Sequence, residues 1–127
     1  MIHPATAAIA PAPAGGAILT KATLRAAANL GLSQGDLAEV LGVSAASVSR
    51  LVHGRTLSPE SKEGELALLF LRVFRSLDTL MGGDASQSRA WLHAENRHVG
   101  GVPADRLRSV VGLVAVAEYL DAVRGRL

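Results

Sequence analysis

Apolar residues recur along this chain at intervals of three and four, the period of helices with one buried face. The pattern is sharpest from Gly31 to Gly54. Ser33 is placed to cap a helix, and Asp36 stands three residues on, where a carboxylate favours a helix N-terminus. Leu37, Val40 and Leu41 then share one face, with small Ala38 beside them where a second helix can approach. Gly42 suits the left-handed position that ends a helix. Ser44 is a second cap, Val48, Leu51 and Val52 form the next apolar stripe, and Gly54 closes it. Two short amphipathic helices joined by a tight turn are the signature of a helix-turn-helix unit.

The flanks read in the same way. Residues 1–16 are rich in Pro, Ala and Gly and carry no Lys or Arg, which predicts a disordered arm. Residues 17–30 predict a helix with Ile18, Leu19, Ala22, Ala26 and Leu30 on its apolar side, and Lys21 and Arg25 together on another. Ser58-Pro59-Glu60 predicts the start of a long helix reaching about Met81. That helix is apolar over most of its circumference, as a central helix or an oligomer interface would be. Asp84 to Asn96 predicts a further helix, with Ala90, Trp91 and Ala94 inward and Leu92 beside them. After Gly100-Gly101, Pro103 opens a short helix. Leu113 to Arg124 forms the last, with Val116, Ala117, Leu120 and Val123 at core spacing and Glu118, Asp121 and Arg124 outward. The expected fold is all-α: an arm (1–16), a helix-turn-helix bundle (17–57) and a small helical interaction domain (58–127).

Composition supports a helical bundle. Of the 127 residues 49% are apolar but only 3% aromatic, so the core must be built from Leu, Val and Ala. Without cysteine there is no disulfide and no thiolate metal site, which permits a cytosolic location. No apolar run reaches the length of a membrane span, and the first 16 residues lack the basic start of a signal peptide. The net charge of +2 lies in residues 1–56, where Lys21, Arg25, Arg50 and Arg55 face Asp36 and Glu39. So small an excess predicts weak non-specific DNA affinity per monomer, and hence a dimer or higher oligomer on DNA.

The candidate chemistry is recognition. On the polar side of the second helix stand Ser44, Ala45, Ser47, Ser49, Arg50 and His53, with Arg55 just beyond. Small residues, hydrogen-bonding groups and a long cation suit a helix entering the major groove. His93 and His98 are five apart and do not share a helical face, so no metal is expected. There is no Gly-rich phosphate loop and no nucleophile beside a base, so neither catalysis nor a cofactor is expected.

Two resemblances sharpen this reading. Gln34, Leu37, Ala38, Leu41, Gly42, Val43, Val48 and Leu51 resemble the helix-turn-helix of Xre-type, phage-repressor-like regulators. The resemblance implies a phosphate contact for Gln34, while Ala45 stands where that family often has a second glutamine. Residues 66–127 are similar to the toxin-binding domain of MbcA/ParS/Xre antitoxins. The likeness is carried by Ala90-Trp91-Leu92, by Asn96 before Gly100-Gly101-Val102-Pro103, by Leu107, Gly112, Val116 and Leu120, and by the terminal Arg-Gly. Together they imply the antitoxin of a toxin–antitoxin pair. Its partner would be a RES-domain toxin that attacks NAD⁺, and its helix-turn-helix would bind the operon's own promoter.

A pocket that receives a pyrophosphate is rich in donors, so a short carboxylate-ended tail can plug it. Arg124, Arg126 and Leu127 are then the expected inhibitory contacts, with Trp91 and Leu92 supporting the docking domain. The alternatives are a stand-alone Xre-type regulator with a C-terminal dimerisation domain, and a structural interaction protein whose helix-turn-helix no longer binds DNA.

Overall fold

The computed structural model describes residues 11–126, with side chains from Gly15 onward. Its seven helices are α1 (Pro11–Asn29), α2 (Gln34–Leu41), α3 (Ala45–Val52), α4 (Lys62–Leu80), α5 (Ala85–His93), α6 (Pro103–Arg106) and α7 (Val110–Gly125), and a 3-10 turn covers Arg97–Val99. The only extended pairing among the described residues is one bridge, Asn96 to Gly101.

The centre of the molecule is α4. It packs against α1 and α2 on one side and against α7 on the other. Phe70, Val73 and Leu77 are fully buried along it, with Leu30, Leu37, Leu41 and Val48 on the N-terminal side and Leu92, Leu107, Leu113 and Leu120 on the C-terminal side. Each such side chain contributes about 1.5–3 kcal/mol by leaving water. One continuous core therefore serves both halves of the chain.

Several sequence expectations need correction. Helix α1 begins at Pro11, not Ala17, so residues 11–16 are helical, while the rest of the expected arm lies outside the described residues. Proline is tolerated in a first turn because the amide it lacks has no helical partner there. Gly16 then meets the rest of the fold: a Cβ on it would lie 2.7 Å from the Leu57 carbonyl oxygen. Thr20 Oγ1 donates to Gly16 O (2.7 Å) and accepts from Leu57 N (2.7 Å).

The long helix starts three residues later than Ser58-Pro59 suggests. Ser61 is its cap, accepting from Gly64 N at 3.0 Å, and Ser58 to Ser61 form a turn instead. Gly64 allows it, because a Cβ there would stand 1.9 Å from Ser58 O. Glu63 and Glu65 still sit in the first turn, beside the positive helix end.

Helix α5 ends at His93 and buries Ser88 and Leu92 rather than Ala90 and Ala94, which are exposed. Trp91 is only half-buried.

Helix α7 starts at Val110, capped by Ser109, so Gly112 lies inside it rather than before it. A Cβ on Gly112 would stand 2.0 Å from Arg106 O, so this glycine is where the preceding turn crosses the helix. Asp121 does not point outward alone: it accepts from Arg72 Nε at 2.6 Å and from Ser76 Oγ at 2.8 Å, both on α4.

Candidate DNA-reading and toxin-binding surfaces

The turn between α2 and α3 is built as its local chemistry demands. Ser33 Oγ accepts from Asp36 N at 3.0 Å, and Ser33 N donates to Asp36 Oδ2 at 2.9 Å, a reciprocal capping box. Gly42 ends α2 at φ 69°, a left-handed conformation that a Cβ would oppose. Val43 N returns to Ala38 O at 3.0 Å, and buried Ala38 leaves room for this return.

Helix α3 buries Val48 and Leu51 and leaves its opposite side in solvent. Ser44, Ala45, Arg50 and His53 are exposed, while Ser47 and Ser49 are half-buried. The polar groups are already linked. Ser47 N donates to Ser44 Oγ, the Ser44 hydroxyl donates to Ser47 Oγ, and Arg50 Nη2 donates to the same Ser47 oxygen at 3.0 Å. His53 Nδ1 lies 2.8 Å from Ser49 O, a pure acceptor, so Nδ1 is the donor there. Gln34 is exposed at the first position of α2. Arg55 is instead tied to Glu63 of α4.

The second half fastens to this unit through Arg108, Arg89 and His93. Arg108 lies 3.2 Å from Glu39 and 3.6 Å from Asp36. These are the only carboxylates in the first 56 residues, so one arginine from the C-terminal half engages both and offsets one of the two negative charges of the DNA-reading half. Arg89 Nη1 donates to Asn29 O at 3.1 Å, and His93 Nε2 meets Leu30 O at 3.0 Å, satisfying carbonyls at the end of α1. Hydrogen bonds from Ser33, chiefly from its backbone amide, and the Arg108 charge outweigh partial burial and hold the Asp36 pKa below its ordinary 3.8. At Asp121 burial pulls upward, but hydrogen bonds from Ser76 and Arg72 and the charges of Arg72 and Arg124 prevail, and its pKa is also lowered.

The C-terminal surface places Trp91 beside Tyr119, which the sequence pattern does not single out, and His98. The Tyr119 ring stacks on Trp91 (centroids 6.4 Å apart, planes 10° apart) and on His98 (5.3 Å and 13°). Leu92 is fully buried beneath, so it supports the surface without forming it. Arg124 and Arg126 are exposed at the end of α7, where Arg126 Nε reaches Ala122 O at 3.3 Å. Leu127 lies outside the described residues. Among those residues there is no group of three or more His, Asp or Glu able to hold a metal, and no helix long and apolar enough to cross a membrane.

Two family models divide the chain between them. The antitoxin Xre-like helix-turn-helix domain matches residues 10–72, and the antitoxin Xre/MbcA/ParS C-terminal toxin-binding domain matches residues 76–126. The chain belongs to the Xre/MbcA/ParS antitoxins. No curated protein matches it. This antitoxin therefore joins a DNA-binding helix-turn-helix to a toxin-binding domain, the makeup of the protective partner in a toxin–antitoxin pair. The two matches meet inside α4, the helix that packs on both halves.

Proposed function

We propose that this antitoxin silences a RES-domain toxin that degrades NAD⁺ or transfers ADP-ribose from it, and represses its own operon through α3. The observation that carries the reading is the end of α7. The helix leaves the core after Leu120 and extends Arg124 and Arg126 into solvent at the limit of the toxin-binding match. The tail obstructs the mouth of a pocket shaped for a dinucleotide, while its arginines meet acidic groups at the rim.

On DNA, Gln34 and the amide end of α2 meet phosphate, and Ser44, Ala45, Ser47, Ser49, Arg50 and His53 face the major groove. Arg55, held by Glu63, borders that surface. The small positive excess calls for a dimer spanning two half-sites.

Coexpression with the RES-domain toxin tests the first part. The full chain should restore cellular NAD⁺ and growth, and a chain lacking residues 124–127 should not. Full protection by the shortened chain would reject the plug. Failure of the full chain to copurify with such a toxin would reject the partner.

A further inference from the structure

The chain holds one Trp, one Tyr and two Phe. Phe70 is sealed in the core, but the lone Trp and the lone Tyr stand together at the surface, half-buried, with exposed His98 stacked on the tyrosine. Three nearly parallel rings form a ladder, and each rung comes from a different element: α5, the 96–101 loop and α7.

The ladder is held from behind. Asn96 and Gly101 exchange two backbone hydrogen bonds (2.9 and 3.1 Å) that close the loop. Asn96 Oδ1 accepts from His98 N at 2.9 Å, and Arg106 Nε donates to Val99 O at 2.9 Å. Leu92 and Val99 are buried beneath. Large amphipathic rings, already fixed in one arrangement, lose little entropy when a partner covers them, and Trp and Tyr are the residues that dominate such contacts.

We propose that the Trp91–Tyr119–His98 ladder is a docking surface for the toxin, covered by the rim of the toxin's pocket while the tail enters it. The proposal rests on the reading of the chain as the antitoxin of a RES-domain toxin. Two observations fix the occupant. All three rings fall inside the toxin-binding match, residues 76–126. Tyr119 and Arg126 are seven residues apart, so they lie on nearly the same side of the terminal helix, about 10 Å apart along it. A partner that swallows the tail has to pass the ladder.

The test uses the full chain and its RES-domain toxin. The antitoxin, its only Trp replaced by 5-fluorotryptophan, is titrated with unlabelled toxin and read by fluorine NMR. The resonance should shift and broaden on binding. In parallel, Tyr119→Ala should weaken toxin binding about tenfold or more, mainly through faster dissociation, and Tyr119→Phe should restore it to within about twofold. Promoter binding by both variants should match that of the unsubstituted chain, which reports that the helix-turn-helix unit is intact. An unmoved resonance in a saturated complex, or undiminished binding by Tyr119→Ala, overturns the ladder while leaving the choice of partner standing. Absence of any complex with the unsubstituted chain overturns the functional reading itself, and the ladder with it.

Discussion

The Ser76 hydroxyl donates to Asp121 Oδ1 across 2.8 Å, a polar link between α4 and α7 in which the serine is wholly buried. Asp121→Ala leaves that hydroxyl without its acceptor and frees Arg72. An unpaired buried hydroxyl costs about 1–3 kcal/mol, so the unfolding free energy should fall by that amount, seen as a lower urea midpoint at an unchanged slope. An unchanged midpoint would show that the link adds nothing.

Asp36 and Asp121 both have pKa values below 3.8 in the folded protein. A carboxyl whose folded pKa is depressed adds stability that is complete above its unfolded pKa and is lost as pH falls through the folded value. Stability should therefore hold down to about pH 4 and decline below it. Asp36→Asn should flatten part of that decline in urea titrations at pH 5 and pH 3. An equally steep decline in the variant would remove Asp36 from the account.

Alanine is about 1 kcal/mol better than glycine in a helix interior, so Gly64→Ala and Gly112→Ala would stabilise helices that stood alone. Here the added carbon would meet Ser58 O at 1.9 Å and Arg106 O at 2.0 Å. Both variants should instead be less stable by about 1–3 kcal/mol or more, the usual cost of overpacking, seen as lower thermal midpoints. A rise in either midpoint would contradict the close crossings.

Arg50 is the long exposed cation of α3, resting on Ser47. Arg50→Ala should weaken binding to the operon's own promoter by about 1–3 kcal/mol in a shift assay, and by less on unrelated DNA. An equal loss on all sequences with a shallower salt dependence would reassign the side chain to phosphate.

What could be read from the residues was local. The Ser33 cap with Asp36 three residues on, the left-handed Gly42 and the Ser44 cap each depend on neighbours within four positions, and each stands where the pattern puts it. Period put Val48, Leu51 and Val52 in one stripe, yet only Val48 and Leu51 are buried and Val52 is exposed. Helix limits were harder. Ser58-Pro59 is a good start signal, but Ser61 Oγ donates to Ser58 O and Gly64 admits the turn, so the later cap prevails. Alanine is a weak marker of burial in a chain this rich in it, which is why Ala90 and Ala94 misled and Ser88 was missed. The pairing of Arg72 with Asp121 spans 49 residues, and no periodicity brings Trp91 to Tyr119. The one available hint was compositional: with so few aromatic rings in the chain, any two that meet dominate their surroundings.

Because α4 runs unbroken from Lys62 to Leu80 beneath both functional units, it sets their relative bearing like a keyed shaft. One residue added between 72 and 76 would turn everything beyond it by about 100° and advance it by about 1.5 Å. A chimera that trades one unit for another must therefore keep helical phase at this splice, and a hybrid joined out of phase would aim its captive toxin away from, or into, the duplex.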